Sequence, residues 1–278
     1  MDSGQFFPAD LYRGKNVFIT GGGSGINLGI AKGFAAHGAN IAICGRTQAK
    51  LDAAAKELEG LGTRVSARAA DVRKPEELNA ALAACRDTLG PVDILVCGAA
   101  GNFLVPAEKL SPNGFKTVID IDLLGSFNAS RLAFDQLAQT RGSIVFISAG
   151  MAHMPYAYQL HVGAAKAGID RMMQNLALEW GPHGIRVNSI VPGPIAGTEG
   201  MKRLGGADHQ QRGRAGVPLG RMGTVEDIAH AALFLCSPVA DWITGVVLTV
   251  DGGSGLAGSG NFNTNAARLL AEQQGASS

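Results

Sequence analysis

Asn16-Val17-Phe18-Ile19-Thr20-Gly21-Gly22-Gly23-Ser24-Gly25-Ile26 reads as a buried strand, a glycine turn and the start of a helix. A continuous apolar, β-branched run is what a parallel strand covered on both faces requires. The glycines that follow let backbone N–H groups approach a bound pyrophosphate at the positive end of a helix. The same punctuation recurs along the chain: residues 40–44 precede Gly45, and residues 94–97 precede Gly98. Further strands are predicted at 143–147, 186–190 and 246–250, with a weaker one at 64–69. Helical periodicity falls between them, at 26–37, 49–58, 75–89, 124–139, 163–180 and 225–236. Strand and helix alternating at this spacing predict an α/β fold, a Rossmann-like doubly wound parallel sheet of about seven strands. With no internal repeat and no linker, residues 1–278 form a single domain, with a long irregular segment at about 194–221 and a flexible tail expected after 253.

Composition agrees and excludes several classes of function. The 278 residues are 46% hydrophobic and 17% charged, which rules out disorder for most of the chain, and a net charge of +1 announces no nucleic-acid surface. No apolar run reaches membrane-spanning length, and residues 1–13 lack the apolar block of a signal peptide. Cys44, Cys85, Cys97 and Cys236 have mostly apolar neighbours and no metal-ligand spacing. Reduced, buried thiols without a metal are expected, in a cytoplasmic setting.

The glycine turn departs from the usual fingerprint at Asn27, which stands where a third glycine is expected and threatens a tilted helix or a narrowed approach. After the second strand, an Asp or Glu would accept from the ribose hydroxyl of NAD, but this chain has Gly45-Arg46. A guanidinium binds a 2′-phosphate that a carboxylate would repel, so NADP is expected.

Thr20-Gly21-Gly22-Gly23-Ser24-Gly25, Asp71-Val72, Cys97-Gly98-Ala99-Ala100-Gly101, Lys166, Arg186-Val187-Asn188 and Pro192-Gly193-Pro194-Ile195 resemble the motif series of the short-chain dehydrogenase/reductase family, over about residues 14–253. Within it, Ala99-Ala100-Gly101-Asn102-Phe103, Leu110-Ser111-Pro112-Asn113, Glu179-Trp180-Gly181 and residues 193–200 are similar to 2,4-dienoyl-CoA reductases, most of all the peroxisomal type. The resemblance implies an NADP-dependent reductase and usually a homotetramer. It implies cofactor contacts at Gly21, Gly23, Ser24, Gly25, Ile26, Arg46, Asp71, Val72, Ala99, Ala100, Gly101, Lys166, Pro192, Gly193 and Ile195, with Asp71 on the adenine and Lys166 on the nicotinamide ribose. Contacts to an acyl-CoA substrate are expected from Asn102, Phe103, Ser148, Tyr158 and Arg203.

The departures from that family carry as much information. Its acid is a tyrosine four residues before the lysine, where i and i+4 share a helix face and the ammonium lowers the phenol pKa. Here that position is Val162. Tyr158 and Tyr156 stand eight and ten residues before Lys166, and eight residues of continuous helix span about 12 Å. The family serine falls at Ala149, and Ser148 beside it faces the other side of a strand end. The ordinary phenol relay is therefore missing.

Asp122 takes its place in this reading. Phe115, Val118 and Ile119 mark an apolar helix stripe that Asp122 continues at i+7, so its carboxylate points inward, whereas Asp120 pairs with Lys116 at the surface. A buried carboxylate near Lys166 is a candidate for function. The peroxisomal dienoyl-CoA reductases are similar at this point too, with Asp and Lys and without the tyrosine. Asp122 and Lys166 are thus the expected catalytic pair, and His161 reads as structural. Between 195 and 221, Lys202, Arg203, Arg212, Arg214 and Arg221 outnumber Glu199 and Asp208, which fits a lid over the phosphates of CoA. Two alternatives remain open on the sequence: a carbonyl reductase using Tyr156 or Tyr158 from a bent loop, and a silent NADP-binding subunit.

Overall fold

The computed structural model describes residues 7–198, 201 and 216–275. Seven strands form one parallel sheet: β1 (Asn16–Thr20), β2 (Asn40–Gly45), β3 (Val65–Ala69), β4 (Ile94–Cys97), β5 (Ser143–Ile147), β6 (Arg186–Pro192) and β7 (Val247–Val250). Their order across the sheet is β3-β2-β1-β4-β5-β6-β7. The chain winds outward from β1 through β2 and β3, then returns to β4 on its other side, so a crevice opens at the carboxyl ends of β1 and β4. Register is in phase there, with Thr20 beside both Cys44 and Cys97.

Helices α1 (Gly25–Ala36), α2 (Gln48–Glu59), α3 (Pro75–Thr88), α4 (Pro112–Ile119), α5 (Gly125–Thr140), α6 (Leu160–Trp180), α7 (Val225–Cys236) and α8 (Gly260–Gly275) complete the domain. Alternation along β1 explains the two cores. Val17 and Ile19 face α1, α2 and α7 through Ile30, Phe34, Leu51, Leu58 and Leu233. Phe18 faces α3, α5 and α6 through Leu78, Leu82, Leu137, Ile169 and Met173. All five β1 residues are buried, as a central strand covered on both faces must be.

The termini of several elements differ from expectation. Helix α6 begins at Leu160, three residues earlier than the sequence indicates, and a π-helical turn (Asp120–Leu124) joins α4 to α5. The tail after Gly253 is not loose where it is described. Residues Ser254–Ala257 form a 3-10 turn, α8 follows, and Ala266 is buried. Phe262 stacks edge-on against Tyr156 with centroids 4.9 Å apart, and Asn263 Oδ1 accepts from the Ala157 N–H at 2.9 Å. The anticipated lid is described only at its two ends, and Lys202, Arg203, Arg212, Arg214, Glu199 and Asp208 lie outside the described residues. Those ends are tied together: Ala196 N–H donates to Gly223 O and Gly223 N–H to Pro194 O, each at 2.9 Å. No helix among the described residues is long and apolar enough to cross a membrane. Burial pushes the thiols of Cys44, Cys85 and Cys97 up to about 12 and that of Cys236 up to about 11, so all four stay protonated near neutrality.

Candidate active site

A cleft of about 1020 Å³ occupies the crevice at the carboxyl ends of the sheet. Gly21 (φ +70°) and Gly25 (φ +59°) take the left-handed conformation that the turn between β1 and α1 needs. Ser24 is the N-cap of α1, yet its side chain makes no capping bond, and Ser24, Gly25 and Ile26 all line the cleft. The uncapped amides at the positive helix end therefore face a cavity, the arrangement a pyrophosphate fits. Asn27 is half-buried on the wall of the same cleft, and its side chain braces the turn. Its Nδ2 donates to Gly98 O at 2.8 Å and to Gly21 O at 3.3 Å, tying α1 to the end of β4.

At the end of β2, Arg46 and Lys50 line the same cleft and are exposed. Asp71 lines it next to them, with its carboxylate held by Arg73 through contacts of 2.5 to 3.1 Å. Those bonds hold the Asp71 carboxyl below its ordinary range. Val72, Ala99, Ala100, Pro192, Gly193 and Ile195 also lie on the wall. A Cβ at Gly193 would come within 2.6 Å of Asp251 Cα, which explains that glycine by packing. Gly101 is not on the wall; its N–H donates to Asp122 Oδ1 at 2.7 Å instead.

Asp122 is fully buried, as the stripe predicts. One turn before it, Val118 packs on Val162 and Ala165 of α6, which fixes the π-helical turn against that helix. Such turns recur at functional sites because they swing one side chain out of helical register. Lys166 Nζ stands 3.2 Å from Asp122 Oδ2 and donates to Ile147 O at 2.9 Å. Asp122 Oδ2 keeps no aligned hydrogen-bond partner among the described residues. Lys166 lines the cleft, whereas Asp122 sits directly behind the wall that Ile121 and Lys166 form. Lys116 and Asp120 pair at the surface.

Val162 is buried at the phenol position, and no tyrosine replaces it there. The segment before α6 is not a continuous helix, so the 12 Å helical separation does not apply to the tyrosines. Tyr156 does reach the cleft, and burial pushes its phenol pKa up. Tyr158 (φ +66°) and Phe103 do not line the cleft, while Asn102 does. Ser148 lies on the wall, but its hydroxyl donates to Asp170 Oδ2 at 2.8 Å rather than being free for substrate. His153 Nε2 approaches the same oxygen at 3.1 Å, a grouping absent from the sequence reading. Arg221, counted there among cations for a CoA phosphate, is held by Asp227 through two bonds of 2.7 and 2.8 Å. Phe262 and Asn265 of α8 also line the cleft; a tail expected to be loose gave no reason to include them.

Residues 21–255 match the family model described as enoyl-(acyl carrier protein) reductase. The chain is 46% identical over 253 residues to a rat peroxisomal 2,4-dienoyl-CoA reductase [(3E)-enoyl-CoA-producing], covering 90% of this chain and 87% of that one. An Arabidopsis thaliana protein of the same name is 45% identical over 257 residues, covering 89% and 86%. Among solved structures, a citronellol catabolism dehydrogenase from Pseudomonas aeruginosa superposes with a TM-score of 0.79 at 35% identity, over 90% of this chain and 98% of that one. With the glycine turn, the crevice and Lys166 in place, these matches identify an oxidoreductase that uses a nicotinamide cofactor, and the chain belongs to the short-chain dehydrogenase/reductase family.

Proposed function

We propose that this enzyme uses NADPH to reduce a 2,4-dienoyl-CoA thioester to an enoyl-CoA. The observation that carries the proposal is the pairing of buried Asp122 with Lys166 where a phenol is missing. Without a tyrosine on that helix face, the site lacks the acid that a carbonyl oxygen needs. A proton delivered to carbon makes a different demand, one that a positioned water meets. The relatives named for dienoyl-CoA reduction support the substrate class.

Bound NADPH supplies hydride to the far carbon of the conjugated system. Charge then moves along the diene to the thioester oxygen, and the resulting dienolate takes a proton on carbon. The Lys166 ammonium, on the cleft wall, stabilises that negative charge. Asp122 Oδ2, lacking an aligned protein partner, accepts from the water that gives up the proton. Arg46 and Lys50 favour a 2′-phosphate at the end of β2.

A substrate screen at the nicotinamide absorbance band tests this reading. Consumption of NADPH with 2,4-dienoyl-CoA is expected. Turnover confined to ketones, or binding without turnover, overturns it.

We also infer self-association, to a homotetramer, through α5 and α6. These helices meet at Phe134 and Trp180, 4.9 Å apart, and leave Phe127, Leu160 and Leu178 exposed. A monomeric mass in light scattering at micromolar concentration overturns the inference.

A further inference from the structure

Behind the cleft wall lies a group that the mechanism above does not use. His161, in the first turn of α6, is fully buried, and neither of its ring nitrogens has an aligned hydrogen-bond partner among the described residues, the Phe103 backbone being the nearest polar neighbour that acts on it. A buried imidazole left this way is costly, since each unpaired polar group forfeits its solvation. It is also not isolated. Asn102 Oδ1 and Gln159 Oε1 are likewise buried without a hydrogen-bond partner among the described residues, and Asp122 Oδ2 has only the Lys166 ammonium, 3.2 Å away. Contacts of these residues and of their chain neighbours tie the four to the same region, and the Asp122 charge acts on the His161 ring. Asn102 follows Gly101, whose N–H holds Asp122. Gln159 Nε2 donates to Phe103 O at 3.1 Å, and the Phe103 ring stacks on His161 with centroids 4.3 Å apart. Val118, one turn before Asp122, packs on Val162, the neighbour of His161.

We propose that His161 is a positioning residue of the proton route, conducting the proton that restores the water at Asp122 after each turnover. The proposal rests on the dienoyl reading of the same site. The step balances as follows. The water on Asp122 gives its proton to the dienolate carbon, and the hydroxide left behind takes a proton from one imidazole nitrogen. In the same step the other nitrogen takes a proton from solvent on the side of Phe103, which is 38% exposed, so the ring stays neutral, and a half-turn of the ring restores the starting tautomer for the next turnover. Asn102 and Gln159 supply acceptors that order the path. Burial lowers the His161 pKa, with the Phe103 backbone and the Asp122 charge acting in the opposite direction. A neutral imidazole carries one donor and one acceptor nitrogen, which a relay requires.

The test compares His161→Phe, which preserves the stacking on Phe103, and His161→Gln with wild type. If the route passes through His161, kcat falls about 10- to 100-fold in the Phe variant while NADPH affinity is kept. The solvent deuterium isotope effect on kcat then rises and the effect of deuterated NADPH collapses, because proton delivery has become limiting. A purely structural defect slows the hydride step and leaves the NADPH effect in place. An Phe variant with wild-type kcat, or a slow one with unchanged isotope effects, overturns the proposal. Should neither variant fold, nitrogen-15 spectra of the histidines in the cofactor-free protein decide. Asp122→Asn is expected to shift the His161 ring resonances, and unchanged resonances overturn the coupling. Absence of dienoyl-CoA turnover in wild type removes the substrate reading, and the same spectra still report on the coupling.

Discussion

Asn27 and Gly98 occupy one another's space: a Cβ on residue 98 would lie 2.0 Å from Asn27 Oδ1, while Asn27 Nδ2 donates to the Gly98 carbonyl at 2.8 Å. The asparagine that interrupts the glycine fingerprint is thus accommodated by a glycine at the end of β4, 71 positions away in the chain. Gly98→Ala is expected to cost about 1–3 kcal/mol, as overpacking against a fixed side chain does. Asn27→Ala costs about 1 kcal/mol through its lost hydrogen bonds. The double variant should be more stable than the sum of the two losses, because the obstacle is gone. Additive losses in urea unfolding would show that the two side chains do not compete.

Arg46 stands on the cleft wall with no ion-pair partner among the described residues, a position from which it can meet a phosphate. Arg46→Asp should weaken NADPH binding about 10- to 100-fold, the worth of a charge-assisted hydrogen bond, and leave NADH binding nearly unchanged. Fluorescence titration with both cofactors checks this. Equal affinity of the wild type for NADH and NADPH removes the phosphate-recognition argument.

What was legible in the sequence follows from how local each signal is. The runs at β1, β2 and β4 are apolar because both faces of the sheet are covered, so their strands could be read without tertiary knowledge. Asp122 could be placed inward because its stripe lies on neighbouring turns of one helical segment. The Ser148, His153 and Asp170 grouping had no such signal, since it joins a strand end, a loop and the middle of α6. Helix α8 opens with Gly260-Asn261-Phe262-Asn263-Thr264-Asn265, poor helix formers, and is held by contacts to Tyr156 and Ala157 that local propensity does not encode. The pairing of Arg221 had no local signal either, as its partner Asp227 belongs to the capping box of the next helix.

Acid sensitivity should come in two stages. Burial depresses the His161 pKa below its ordinary 6.5, so its contribution to folding is complete above 6.5 and is lost as the pH falls toward the lower folded value. Asp71, held by Arg73, and Asp227, lowered to about 2 by Arg221, contribute fully above their ordinary 3.8 and lose that contribution only below it. Melting temperature measured from pH 7 to 5 should therefore fall in wild type and fall less in His161→Phe. Parallel curves for the two proteins would mean that His161 is not what senses that range.

The chemistry should follow the carboxylate and not a phenol. Asp122→Asn keeps the side-chain volume and the acceptor for Gly101 N–H while removing the charge 3.2 Å from Lys166. Turnover is expected to fall roughly 10² to 10⁴-fold, the usual worth of an acid-base group, with NADPH affinity nearly intact because Asp122 lies behind the cleft wall. Lys166→Ala should damage both turnover and binding, since Lys166 is on that wall. Lys166 is left without its counter-charge in Asp122→Asn, so the melting temperature of that variant is measured alongside to separate folding from chemistry. Tyr158→Phe should have little effect, its side chain being off the cleft, and Tyr156→Phe should cost no more than a hydrogen bond, about 1 kcal/mol. An inactive Tyr156→Phe beside an active Asp122→Asn would return the proton route to a phenol, and the Val162 position would no longer argue against carbonyl reduction.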